Sequence, residues 1–272
     1  MGTRKAPSTG LEPLAASASQ VGRPRVSDQV IRQLLTKIAS GALPRKSKLP
    51  TERELASLYG VSTPTIREAL RALGAMGVIE VRHGSGAHVA ATPAGILNNP
   101  LTMLVQMENV GVQDLIGLLR VLNLYVAELA VKQATDEDIA TVSAAAVATA
   151  RCETVEDVTA TVPAFLIALV ATAHQPLLDA ICGFLINLIV RLETANFGSR
   201  SPRYWKRWAA ETSVLRKDVA AALEQRDREW LIASVNRLHA HVSKRISANP
   251  ELSRARMSDP GIAPLVSEAF SS

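Results

Sequence analysis

Cysteine is nearly absent: Cys152 and Cys182 are the only two in 272 residues. Two cysteines cannot staple a disulfide scaffold, and neither stands in a CxxC or beside paired histidines. They read as small apolar residues of a core in a reducing compartment. Familiar catalytic signatures are missing too. The chain has no P-loop, no GxSxG, no HExxH and no CxxC pairs, so nothing points to an enzyme. A strongly apolar run is also lacking. Val158–Leu178 is 21 residues without Lys, Arg, Asp or Glu, but Pro163, His174, Gln175 and Pro176 interrupt it. A membrane span needs roughly 20 mostly apolar residues, so this stretch reads as a buried helix. Residues 1–22 are rich in Ala, Ser, Gly and Pro and hold no apolar segment of signal length. A flexible tail over 1–24 and a cytoplasmic location are expected.

What is present is core material and an uneven charge. Hydrophobic residues make up 47% of the chain, which excludes wholesale disorder. The net charge of +5 splits sharply at residue 100. Residues 1–100 carry 13 Lys/Arg against 6 Asp/Glu, and the remainder 17 against 19. Such asymmetry suggests a polyanion-binding module joined to something else.

Periodicity gives the elements. Val30, Ile31, Leu34, Leu35 and Ile38 form one helical stripe, stopped at Gly41. A basic loop, 44–48, precedes Thr51 and Glu54, a capping box opening a helix that ends near Gly60. Ser62 caps the next helix, with Pro64 in its first turn and Ile66, Leu70 and Leu73 on its buried face. Residues 78–89 then read as a β-hairpin with a Gly-rich turn. Three helices and a hairpin make a winged helix-turn-helix over 25–90. Residues 91–99 read as a linker, with Asn99-Pro100 opening the next helix. Only helical patterning follows, over 100–109, 112–133, 136–150, 155–173, 176–197, 202–225 and 227–247. The expected fold is mainly α, a winged helix-turn-helix plus an all-helical domain of about seven helices over 100–248. The segment 249–272 is expected to be a loosely attached tail.

The exposed face of the second short helix carries Ser62, Thr63, Thr65, Arg67 and Arg71, and Arg53 projects from the helix before it. Hydroxyl and guanidinium groups at a helix N-terminus suit phosphates and base edges in a major groove. The hairpin tip at His83 and Gly84 can approach a backbone closely, and Lys46 and Lys48 add phosphate contacts. Taken singly, Arg53, Arg67 and Arg71 also read as solvated partners of Glu54 and Glu68. Taken together on a basic winged helix, they point to double-stranded DNA.

The stretch LPTERELASLYGVSTPTIREALRALGAMGVIEVRHGSGAHV resembles the GntR family of bacterial transcription regulators over about 26–90. The family pattern runs LPSERELA, VSR, (T/I)REAL, L, GL(I/V) and a Gly-rich wing. The helical remainder resembles the C-terminal domain of the FadR-type subfamily. Asp114-Leu115 with Arg120, Ala164-Phe165, Leu177-Leu178 after Pro176, and Ala222-Leu223 with Asp227 carry that likeness. The extra helix at 100–109 favours the seven-helix FadR group. The resemblance implies a homodimer on a pseudo-palindromic operator. It implies DNA contacts from Arg53, Ser62, Thr63, Pro64, Thr65, Arg67, His83 and Gly84. Thr63 stands where the family usually has Arg, which predicts a weaker or different base preference. Ser47 stands for a usual turn glycine.

Relatives hold a metal through D-x-x-F-H and two later histidines. Here that motif reads Val162-Pro163-Ala164-Phe165-Leu166, with Arg216 and Leu238 at the later positions, so no metal or other cofactor is expected. His239 and His241 read as exposed or capping residues near a helix end. A pocket lined by Val162, Phe165, Leu166, Leu169, Leu185 and Leu188 suits an apolar effector, with Arg120 or Arg216 binding an acidic head group. The metal-free FadR type senses fatty acyl-CoA, which implies a fatty acid or acyl-CoA here. The alternative is a small organic acid, with or without metal. Tyr204, Trp205 and Trp208 are expected to be core packing of a long helix. Two other classes stand beside the ligand-controlled regulator, expected to be a repressor. One is an enzyme with an accessory winged helix, for which no motif speaks. The other is a protein-interaction module, which the basic first third disfavours.

Overall fold

The computed structural model describes residues 25–82, 84–90, 94–197 and 200–268. The proposed tail at 1–24 and His83 lie outside the described residues. The chain divides into two compact units, one of residues 25–75 with 79–89, the other of residues 76–78 with 90–268.

In the first unit, α1 (Val26–Ala39) buries Val30 and Leu34. Next, α2 (Glu52–Tyr59) starts on the Thr51 capping box. The Thr51 N–H donates to Glu54 Oε2 at 2.7 Å, and the Glu54 N–H donates to Thr51 Oγ1 at 3.3 Å. Gly60 closes it with φ of 65°, a left-handed conformation open to glycine at little cost. The Ser62 hydroxyl accepts from the Thr65 N–H at the start of α3 (Thr63–Ala75). Ile66, Ala69, Leu70 and Leu73 recur at helical spacing and pack α3 on α1 and α2. β1 (Ile79–Arg82) and β2 (Gly86–Val89) pair antiparallel, Ile79 opposite Val89 and Arg82 opposite Gly86. The basic loop is more than a connection. Lys46 and Leu49 donate to Val89 and Ala87, and Val89 donates back to Ser47, so 46–49 lies along β2 as a third edge. The positive φ in this loop, 66°, falls at Lys46 rather than Ser47, whose hydroxyl donates to the Pro44 carbonyl.

The second unit is helical: α4 (Ala94–Met107), α5 (Val112–Gln133), α6 (Asp136–Ala148), a 3₁₀ turn (Thr149–Arg151), α7 (Val155–Ala171), α8 (Pro176–Phe197), α9 (Pro202–Glu224), α10 (Arg228–Ser247), α11 (Pro250–Arg254) and α12 (Ala263–Glu268). Thr135 with Asp138 and Thr154 with Asp157 cap α6 and α7 as Thr51 caps α2. Phe165, Phe184, Leu192, Leu223 and Leu231 are fully buried in one core drawn from α5 to α10. Among the described residues no helix is long and apolar enough to cross a membrane.

Two expectations fail here. The linker at 91–99 is helical from Ala94 onward, and Pro100 lies inside α4 rather than at its start. Proline there forfeits one i→i−4 hydrogen bond. Burial of Val105, and of Leu101 against the core, keeps the helix running through it. The tail at 249–272 is not loose over its described part. Leu252, Met257 and Val266 are completely buried, and the Met257 N–H donates to the Val110 carbonyl at 3.0 Å. These apolar residues are too widely spaced to show a period, and the prolines between them look like loop.

Leu252→Ala should therefore lower stability by about 3 kcal/mol, the usual cost of emptying a buried leucine site. Urea unfolding of the full chain checks this, and a change under about 0.5 kcal/mol would mean the segment is loose after all.

Candidate functional site

The first unit presents a cleft between the start of α2, the face of α3 and the hairpin. Lys48, Arg67 and Arg71 line it, with Gly84 and Gly86 at the hairpin end. Ser62 and Pro64 are exposed at the start of α3, and Thr63 and Thr65 are half-buried there. Gly84 is exposed with φ of 74°. The arginines are not alike. Arg67 is clamped to Glu52 by Nε at 3.2 Å from both carboxylate oxygens and by Nη2 at 2.7 Å. This fork holds Glu52 below the usual carboxylate range and ties α3 to α2. The expected acidic partners are otherwise engaged: Glu54 caps α2, and Glu68 lies 3.8 Å from Arg25. Among the described residues Arg53 makes no hydrogen bond or ion pair, and Arg71 acts only as a distant charge on Glu52.

The second unit holds a partly open cavity of about 50 Å³ between α5, α7, α8, α9 and α10. Val162, Leu166, Arg216 and Leu238, aligned above with the relatives' metal ligands, all line it. Phe165 does not: it is fully buried in the core beside Leu169, Leu185 and Leu188. Arg120 does not line it either. It is exposed on α5, donates from Nε to Asn236 at 2.9 Å, and belongs to a surface groove. Helical period explains both corrections. Phe165 is one residue from Leu166, so the two leave the helix about 100° apart; Arg120 is one residue from buried Leu119.

Arg216 is 3% exposed. Its Nη1 donates to Thr212 Oγ1, one turn back, at 2.8 Å, and its guanidinium lies 5.1 Å from the Trp208 ring centre. Burial lowers its pKa to about 10, so it stays charged at neutral pH. Arg245 lies over the same ring at 5.3 Å and pairs with Glu193 at 2.6 Å. Glu193, Thr212 and Arg245 were not singled out from the sequence, and Trp208 was read as core packing alone. The signal was there for α9 alone: Trp208, Thr212 and Arg216 recur every four residues on its buried face. Trp205 and Trp208 pack edge to face in a core cluster with Val162 and Val190, as expected for the aromatic group.

His239 is neither exposed nor a cap. It is 6% exposed, and the Asn123 amide donates to its Nε2 at 3.0 Å. Burial, with the Arg120 charge nearby, pushes its pKa down to about 4. His241 is half-buried and also shifted down by burial. Among the described residues no three His, Cys, Asp or Glu side chains gather as metal ligands would. Both cysteines are buried, and burial pushes the Cys182 thiol up to about 12, the reverse of an activated nucleophile.

The His239 shift carries a pH dependence. Above about pH 6.5 the ring is neutral in folded and unfolded chains alike. Between pH 6.5 and 4 only the unfolded chain takes up the proton, so stability falls as pH drops through that window. The loss sums to about 3 kcal/mol. Urea midpoints at about pH 7 and pH 4.5 should differ for the wild type and differ less for His239→Gln.

Residues 26–89 match the family described as bacterial regulatory proteins, gntR family, and residues 114–244 match the FCD domain. The HTH-type transcriptional regulator Rv0494 of Mycobacterium tuberculosis is 36% identical over 126 residues, 45% of this chain and 51% of that protein. Mce2R of M. tuberculosis is 47% identical over 64 residues, 24% of this chain and 27% of that one. LutR of Bacillus subtilis is 32% identical over 102 residues, 38% and 47%. The chain thus spans about half or less of the length of these curated relatives. The solved Streptococcus agalactiae GntR covers 80% of this chain and 99% of its own at a TM-score of 0.60 and 21% identity, a likeness of fold. With one matched segment in each unit, the chain joins a winged helix-turn-helix domain of the gntR family of bacterial regulatory proteins to an FCD domain.

Proposed function

We propose that this protein is a DNA-binding transcription regulator rather than an enzyme, controlled by a small-molecule effector in its helical unit. The cleft between α3 and the wing, with Lys48, Arg67 and Arg71 on it, is the observation that carries the reading. In that role α3 enters a major groove. Ser62, Thr63, Pro64 and Thr65 meet base edges and phosphates at its start, Arg53, Arg67 and Arg71 meet the backbone and bases, and the wing at His83 and Gly84 lies along the phosphates. Arg67 has a second role, because its fork on Glu52 sets the angle of α3. The family resemblance supports a homodimer on a pseudo-palindromic operator, acting as a repressor in the bacterial cytoplasm.

Effector binding in the helical unit changes operator affinity through linkage between the two sites. A small acid is better supported than a fatty acid or acyl-CoA. A benzene ring occupies a cavity of about 150 Å³, and this one is about a third of that. Arg216 faces the cavity and suits an acidic group, whereas Arg120 and Phe165 stand outside it.

Fluorescence anisotropy with DNA from the chain's own promoter, across a salt series, tests the DNA-binding reading. Affinity should fall steeply with salt while preference for the palindrome persists. Lys48→Ala should weaken all sequences alike and reduce the salt slope by about 1. Arg67→Ala should abolish operator preference, yet cost under about 1 kcal/mol of stability because the Glu52 pair is half exposed. No DNA binding at low salt would overturn the reading.

A further inference from the structure

In the cavity of the helical unit unpaired buried donors outnumber acceptors: Glu193 Oε1, ion-paired with Arg245, is the one lining acceptor left without a hydrogen bond among the described residues. The Nε–H groups of Arg216 and Arg245 and the Nε1–H of Trp208 are buried without a hydrogen-bond partner among the described residues. All three residues line the same cavity. Buried donors of this kind are rare, and each one left unmade is expensive. The charges are unequal as well. Arg245 pairs with Glu193, whose charge also acts on Arg216 at longer range; among the described residues no carboxylate forms an ion pair with Arg216 itself, and His239 is neutral. Two buried guanidinium groups that share one carboxylate, beside unpaired N–H groups, leave a net positive charge for an anion to balance.

We infer that this cavity binds a small monocarboxylate directly on Arg216 and Trp208, with no metal ion between ligand and protein. This inference rests on the effector reading above and gives that effector its chemical class. The carboxylate oxygens accept from the Arg216 Nε–H and the Trp208 Nε1–H, and its charge balances Arg216. Away from the polar end the walls are apolar, with Ile116, Leu119, Val162, Leu166 and Leu238 among them, so the rest of the ligand is a short alkyl group. A second acidic group would face those walls unpaired, which disfavours dicarboxylates and phosphates. Two guanidinium groups against one carboxylate repel a divalent cation. Trp208, His241 and Arg245 also line an adjoining surface groove with Arg207, Glu211 and Lys244, whose net charge is positive and favours entry of an anion.

The test uses full-length protein stripped with EDTA and follows binding by calorimetry and by Tm. Acetate, propanoate and butanoate are compared with propanamide and butanamide, which match the last two acids in shape without the charge. The acids should bind and raise Tm while the amides do neither. Arg216→Gln should weaken the acids by about ten- to a hundredfold, and Arg216→Lys should recover part of the loss. The comparison of acid with amide on the wild type stands even if Arg216→Gln fails to fold. Binding only after Zn²⁺ or Mn²⁺ is restored, equal binding of amides, full binding by folded Arg216→Gln, or a response to palmitoyl-CoA alone would each overturn the inference and leave the effector reading in place. If neither the acids nor palmitoyl-CoA changes Tm or operator affinity, the effector reading falls with it.

Discussion

Arg216 is a full positive charge in the interior of a helical bundle, and much of the packing around it answers to that charge. An ion in an apolar interior costs several kcal/mol unless other groups offset it. Here the offsets come from one face of α9. Thr212 accepts a hydrogen bond one turn back, and the Trp208 ring lies two turns back. A second guanidinium, Arg245, shares that ring and needs Glu193 to be tolerated so close. Three helices, α8, α9 and α10, are thereby held in register by electrostatics as well as by leucine packing. A ligand that supplies the missing negative charge would change the energy of all three at once. That is what an effector site requires of its surroundings.

The first unit uses the same chemistry with the opposite weighting. The Glu52–Arg67 fork has good geometry but stands half in water, where an ion pair contributes little to stability. The helix-turn-helix is held by Leu55, Ile66, Leu70 and Leu73, and the fork only sets orientation. Arg53 and Arg71 remain without strong partners on the same surface. Basic groups held lightly are the ones a polyanion can recruit at small cost.

Local signals in the chain were reliable where a few adjacent residues settle the matter. Thr51 with Glu54, Ser62, Gly60 and the hairpin turn all act within four residues, and each stands where its spacing placed it. The aromatic group on α9 and the two buried cysteines were legible for the same reason. Distant pairings were not. The third edge at 46–49 depends on hydrogen bonds to Val89, some forty residues on. The burial of Leu252 and Met257 depends on α5 and the turn before it, more than a hundred residues away.

Fold class, the division of charge between the two parts and the candidate DNA-facing residues follow from composition, period and capping chemistry, because these act through neighbours in the chain. The tertiary structure alone decided which polar groups are buried. It turned His239 from a surface residue into a neutral core residue, moved Phe165 and Arg120 out of the cavity, and brought Glu193, Trp208 and Arg245 around Arg216. No spacing rule yields that set. It arises where five helices meet, and the penalty for an unpaired buried charge exists only once they have met.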